Sequence, residues 1–395
     1  MSQPVFSVGI IGLQLITTSL VVGFARRESP LRLGGISVML LAAYSQLSRP
    51  RVHHPIARPF LGAASIFLVI LYIDAAVLSQ WTFEAQSPTS PLGGLDPTMR
   101  ENPEQNKDAN PPTSTKSTSI QSGSFAARLA FGFKIASQSR FPRTVWAAKG
   151  LPDFPQAIVP SRASFLIRNV LKCATYILLL RLGNSLGDPS QSATLFSSAN
   201  IPLAGNIIHP RTSPSTYIDL AQLGSRLLGV LGYWTVQYLI INLLYGILAT
   251  FSVALHITNV DVWPPVFGRF NDAWSLRQFW GRFYHQLIRR GCSSIAHLIT
   301  YPCLKLRKGS LPARYVFMAV VFVVSAIFHL LSDIALGIPA HESGAVLFFC
   351  CQTPAIMFED AAKALFQRLA EKFGGVTTRE KIEIGYSELS LPERA

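Results

Sequence analysis

A chain of 395 residues that is 49% hydrophobic and only 14% charged falls far short of the roughly 25% charge of a soluble domain, so lipid is the solvent for much of it. The formal net charge of +14 asks for acidic partners. Its basic residues sit in short loops between apolar runs without a nucleic-acid-binding motif, which points to lipid headgroups or phosphates and away from nucleic acid.

The first apolar run, 5–24, carries no charge and is not preceded by Lys or Arg. At about 20 residues it matches the hydrocarbon core and reads as a retained spanning helix rather than a cleaved signal. Runs at 33–47 and 59–83 follow, the former short enough to be re-entrant or buried between longer helices. Asp74, inside LVILYIDAAVL, is an intramembrane charge, either a substrate-cation site or, the favoured reading, a helix–helix hydrogen bond. Arg26, Arg27 and Arg32 after the first run and Arg49, Arg51 and Arg58 after the second divide the positive-inside rule.

From 84 to 124 the chain turns to Pro, Ser, Thr, Asn and Gly, the composition of a disordered polar loop. Residues 125–155 are basic and amphipathic, with Arg128, Lys134, Arg140, Arg143 and Lys149 among Phe125, Leu129, Phe131, Phe133 and Trp146, which predicts an interfacial helix. Apolar runs resume at 163–180 and 219–257. The uncharged part of the latter, 227–256, would extend about 45 Å as one helix and must tilt, bend or protrude. The connection 259–290, with Arg269, Arg277, Arg282, Arg289 and Arg290, assigns its side to the cytosol. Runs at 291–304, 313–333 and 343–358 complete the series before a polar tail, 359–395.

The fold class expected is therefore all-α, a polytopic membrane protein of roughly eight spanning or re-entrant helices. It divides into N-terminal helices (1–83), a polar loop (84–124), a membrane core (125–358) and a tail (359–395), with no internal repeat. The five cysteines, Cys173, Cys292, Cys303, Cys350 and Cys351, are odd in number and lack C-x-x-C spacing. They support neither a disulfide framework nor a metal site and read as packing residues.

Two places can carry chemistry. Between residues 315 and 332 the only ionisable side chain is His329, either a proton-transfer group or a neutral histidine hydrogen-bonded between helices. Ser325 and Asp333 share its helical face. The second place is 263–290, WPPVFGRFNDAWSLRQFWGRFYHQLIRR, where Phe279, Trp280, Phe283 and Tyr284 surround His285. It reads either as an interfacial aromatic belt or as a cytosolic gate in which arginines meet phosphates and aromatics hold an acyl group or an adenine.

The stretch WPPVFGRFNDAWSLRQFWGRFYHQ resembles the signature of wax synthase-like membrane-bound O-acyltransferases, W-x-P-x-F-G followed by S-L-R-x-F-W-x-x-x-x-H-Q. RYVFMAVVFVVSAIFHLL is similar to their second signature, a hydrophobic helix ending in S-G/A-x-x-H, and RFPRTVWAAKGLPDFP fits a segment before the core. The resemblance spans about residues 125–358. It implies an acyl-CoA-dependent enzyme without metal or bound cofactor, in an endoplasmic reticulum membrane. Many fungal-type members move acetyl from acetyl-CoA to a hydroxyl of a terpenoid or polyketide-terpenoid; plant-type members esterify fatty alcohols.

The same resemblance makes His329 the catalytic base. It places His285, where related diacylglycerol acyltransferases carry asparagine, at the acyl carbonyl or developing oxyanion. Trp280 and Arg277, Arg282 and Arg289 become candidates for holding coenzyme A. Ala326 stands where glycine is common, and after Ile384-Gly385-Tyr386, where members continue into a last apolar helix, this chain reads SELSLPERA, so that span is expected to be missing. The partners implied are acyl-CoA, a lipophilic alcohol and membrane lipid, with oligomeric state open. A proton-coupled transporter using Asp74 and His329 is the rival from another class, and it would require inverted repeats and broken helices.

Overall fold

The computed structural model describes residues 3–48, 57–95, 123–154, 158–186 and 220–373. Their regular structure is almost all helix: α1 (Gln3–Phe24), α2 (Leu31–Leu47), α3 (Ala57–Tyr72), α4 (Phe125–Ser137), α5 (Arg162–Leu186), α6 (Leu220–Ala254), α7 (Arg289–Leu298), α8 (Leu311–Leu336), α9 (Ala345–Cys350) and α10 (Gln352–Phe373). Six helical stretches among the described residues are long and apolar enough to cross a membrane: Phe6–Phe24, Phe60–Leu78, Arg162–Ser185, Arg226–Ala254, Leu311–Leu336 and Ala345–Ala370. The short run at 33–47 forms α2, and the run at 291–304 forms α7 with the π turn Ile299–Cys303. Pro302 lies inside that turn; without an N–H, and with a ring that clashes with the carbonyl four residues back, proline cannot extend a regular helix.

The chain forms two units, 1–151 with 267–395, and 152–266. In the larger one α1, α2 and α3 contact one another, α4 lies on α1, and α3, α7 and α9 line α8. Its core comprises Val22, Met39, Leu68, Tyr72, Trp81, Phe131, Phe141 and Trp146. Two polar side chains that an apolar interior would otherwise reject are engaged there. Arg32 donates to the carbonyls of Ala25, Arg26, Ala76 and Trp81 at 2.8–3.0 Å, and Gln14 bridges Met39 and Ser65. Many outward large side chains, among them Ile16, Leu20, Leu40 and Leu41, are apolar because lipid rather than water is their solvent.

Helix ends follow local chemistry. Ser124 and Ser310 cap α4 and α8 by accepting from the backbone N–H of Ala127 and Ala313. Gly337, at φ 88°, ends α8 in the left-handed conformation that glycine adopts without penalty. The basic segment expected as one interfacial helix is helical only to Ser137, with Phe131 and Ile135 turned into the core; beyond it Phe141 and Arg143 have positive φ and break the helix.

The polar stretch after residue 84 is structured at its start. Strands Trp81–Thr82 and Ser87–Pro88 pair antiparallel, followed by a 3₁₀ turn Pro91–Gly93 capped by Ser90. The rest of the expected polar loop, 96–122, and the tail beyond 373, with the segment 384–395, lie outside the described residues. Helix α10 runs past residue 358 to Phe373, aided by a Glu359–Lys363 ion pair one helical turn apart.

In the smaller unit α5 packs along α6, where Asn169 Nδ2 donates to Gly246 O and Thr250 Oγ1 at 2.8 and 3.0 Å. Helix α6 is 35 residues long, about 52 Å at 1.5 Å per residue, and outruns a roughly 30 Å hydrocarbon core.

Candidate active site

The segment that carries His285 is built on close backbone contacts. Gly268 N–H donates to Phe283 O at 2.8 Å. A side chain on Gly268 would collide with the carbonyl of Arg282, so only glycine permits this approach. Ser275 caps the short turn Leu276–Gln278, which widens into the π turn Phe279–Phe283. Such wide turns are uncommon and often mark functional positions. Here the turn ends with Tyr284 extended, and His285 follows against Phe267 and Tyr284, with ring centroids 6.0 and 4.5 Å away.

The loop is locked from inside by a residue that the sequence reading passed over. Gln286, 1% exposed, donates through Nε2 to the carbonyls of Tyr284 and Trp280 at 2.5 and 3.1 Å. Its Oε1 accepts from Arg289 Nη1 at 2.8 Å, and the same nitrogen donates to Gly281 O at 2.5 Å. Its adjacency to His285 was the available signal, since a polar side chain buried among aromatics must satisfy its donors and acceptor locally.

His329 lies in mid-α8, its ring stacked on Phe349 of α9 with centroids 4.5 Å apart and planes at 16°. Phe349 contacts Trp280 at 5.8 Å, Trp280 contacts Tyr284 at 5.2 Å, and Tyr284 contacts His285. A continuous chain of rings thus brings the two sequence signatures together. Trp280 is fixed by its Nε1 donating to Gln352 Oε1 at 3.0 Å. Among the other residues flagged on α8, Ser325 lies 3.9 Å from Cys292 Sγ, and Asp333 accepts from Ser343 at 2.6 Å. Asp74 pairs with Arg290 at 2.6 Å, the interhelical reading.

The arginines divide. Arg277 is ion-paired with Asp360, which also accepts from Tyr315 at 2.9 Å. Arg289 is occupied by the loop clamp. Arg282 is exposed and has no ion pair among the described residues.

Burial pushes His285 down to about 3, and positive charge on His329 or Arg140 acts in the same direction. Its Nδ1 is buried without a partner. His285 is consequently a neutral ring with an uncommitted nitrogen, suited to donating or accepting a hydrogen bond and unsuited to carrying charge.

The His285 shift has a consequence for stability. The folded value lies below the ordinary 6.5, so the unfolded chain binds the proton first on acidification. Stability should fall between pH 6.5 and 3, by about 1.4 kcal/mol per pH unit from this group. The thermal midpoint of detergent-purified protein is expected to drop more steeply from pH 7 to pH 5 than that of His285→Phe.

Residues 263–351 match the model of the membrane bound O-acyl transferase family. The acetyltransferase fsoF of Humicola fuscoatra is 47% identical, with 99% of this chain and 93% of that protein aligned. The acetyltransferase aurG of Calcarisporium arbuscula is 32% identical over 92% of this chain and 83% of its own length. No solved structure matches.

Proposed function

Because the chain belongs to the membrane bound O-acyl transferase family and is an acyltransferase, we propose that it moves acetyl from acetyl-CoA to a hydroxyl of a lipophilic terpenoid or polyketide-terpenoid. The reaction takes place in the endoplasmic reticulum membrane, which the chain crosses several times. The observation that supports this best is the ring-to-ring connection of His285 and His329 through Trp280 and Phe349, which joins two groups suited to one reaction. Near-complete alignment with two proteins named acetyltransferases favours acetyl over longer chains.

In this reading His329 accepts the alcohol proton as the oxygen attacks the thioester carbon. The carbonyl oxygen becomes an oxyanion, and neutral His285 donates a hydrogen bond to it. Collapse breaks the carbon–sulfur bond, releasing ester, and the proton on His329 passes to the coenzyme A thiolate. In this reading transfer is direct, within a ternary complex of acyl donor and alcohol. Asp360 and the Gln286 clamp already engage Arg277 and Arg289, which leaves Arg282 the best placed of the three for a coenzyme A phosphate; Trp280 borders the acyl path.

Microsomes containing the protein, given acetyl-CoA and palmitoyl-CoA in competition with a terpenoid alcohol, are expected to form chiefly acetyl ester. Mainly long-chain ester would reassign the protein as a wax ester synthase. Arg282→Ala should raise the KM for acetyl-CoA by about tenfold with little change in kcat, since a phosphate contact is made equally in ground and transition states. Steady-state kinetics at varied acetyl-CoA measures this, and an unchanged KM would make Arg282 an interfacial anchor.

A further inference from the structure

A second buried polar cluster plays no part in the reaction above. Arg290 is 5% exposed, and its Nε donates to Asp74 Oδ2 at 2.6 Å. Asp74 Oδ1 is taken by Ser294 and Ser79 at 2.5 and 2.9 Å. The carboxylate is therefore spent on Nε and two hydroxyls, while Nη1 and Nη2 of Arg290 are buried with no partner. The guanidinium lies 4.3 Å from the Phe141 ring centroid and 5.5 Å from that of Trp81. Trp81 stacks on Phe141 and meets Trp146 edge-on, both with centroids 5.0 Å apart. The indole Nε1 atoms of Trp81 and Trp146 are likewise buried and unpartnered.

Four unmet nitrogen atoms thus belong to three side chains that meet at the Trp81 ring, and every one of them is a donor. Leaving a buried donor unmet is costly, and more so for a charged group, so the cluster calls for a group that only accepts. Asp74 balances the charge of Arg290, which favours a neutral oxygen over an anion, whose desolvation would go uncompensated by this pair. The cluster is linked along the chain to the loop that carries His285. Arg290 follows the clamp residue Arg289, and Arg140, adjacent to Phe141, bears electrostatically on His285.

We propose that Arg290, Trp81 and Trp146 form a subsite for a carbonyl oxygen of the acceptor, so that the alcohol acetylated also carries a ketone, lactone or ester group. This rests on the acyl-transfer reading of the histidine pair and narrows its substrate class. A site built to hydrogen-bond a substrate oxygen discriminates strongly against the analogue lacking it, because its own buried donors then go unpaired.

The test uses the full-length protein in microsomes with acetyl-CoA and a panel of matched polycyclic alcohols, headed by testosterone and its 3-deoxo analogue. A hydroxy acid of the same skeleton forms a third arm. Wild type is expected to prefer the keto-alcohol by about 30-fold or more in kcat/KM. Trp81→Phe and Trp146→Phe, which keep a ring and remove one donor each, should shrink that preference about 5–10-fold. Equal use of keto and deoxo alcohols by wild type overturns the subsite while leaving acyl transfer standing. So does an equal loss on both in the Phe variants, the behaviour of a bound water or of packing alone, and so does preference for the hydroxy acid. Where a Phe variant fails to accumulate, the wild-type ratio decides. No ester in any arm counts against the acyl-transfer reading and takes the subsite with it.

Discussion

Replacing His329 with alanine is expected to lower acetyl transfer by about 10²–10⁴-fold, the contribution typical of a positioned general base. A neutral alcohol is a poor nucleophile at cellular pH, and within an apolar helix bundle no bulk water stands ready to take its proton. The ring stacks on Phe349, so two conservative variants separate the roles it plays. His329→Phe restores an aromatic ring for stacking, and His329→Gln restores hydrogen-bonding capacity; neither restores a base. Both should insert normally, since removing an ionisable group from an apolar helix does not oppose insertion. Ester formation is measured in microsomes at matched protein levels. If His329→Gln keeps near wild-type turnover, the residue is a structural hydrogen-bonding partner and the mechanism fails.

Much of the helical layout was legible because uncharged runs of about 20 residues in lipid have no stable alternative to helix. The runs at 5–24 and 313–333 correspond to Gln3–Phe24 and Leu311–Leu336. Side-chain partnerships were not legible where they join distant parts of the chain. Asp74 reads from its own helix as a lone charge, and nothing in its neighbourhood names Arg290, which lies 216 residues away. Arg277 was equally open to a phosphate until Asp360 took it. The apolar run expected to end at 358 is followed by the carboxylates Glu359 and Asp360. Each has an internal partner, Lys363 for Glu359 and Arg277 for Asp360, so the helix runs on. The site was legible only in part, for a related reason. His285 and His329 stood out by type and motif, whereas Gln286 looks like any glutamine until the carbonyls of Trp280 and Tyr284 converge on it.

His285 invites a different test because its ring remains neutral. At a value near 3, it carries no charge between pH 5 and pH 9, so the role proposed for it is that of a neutral donor whose N–H meets the oxyanion as it forms. A donor of that kind is replaceable by another neutral donor of similar reach, which a base is not. His285→Phe, which retains the aromatic contacts with Phe267 and Tyr284 but offers no N–H, should lose about 10²–10³ in kcat with little change in the KM for acetyl-CoA, since the interaction is made mainly in the transition state. His285→Asn should recover activity to within about tenfold of wild type and leave the pH–rate profile unshifted, because the group replaced never titrated in the working range. Initial rates from pH 5 to pH 9 for the three proteins distinguish the alternatives. A lower pH limb that disappears in His285→Asn would show that the imidazole itself titrates during turnover and would overturn its role as a neutral donor. Equal activity in all three would leave His285 as packing within the aromatic loop.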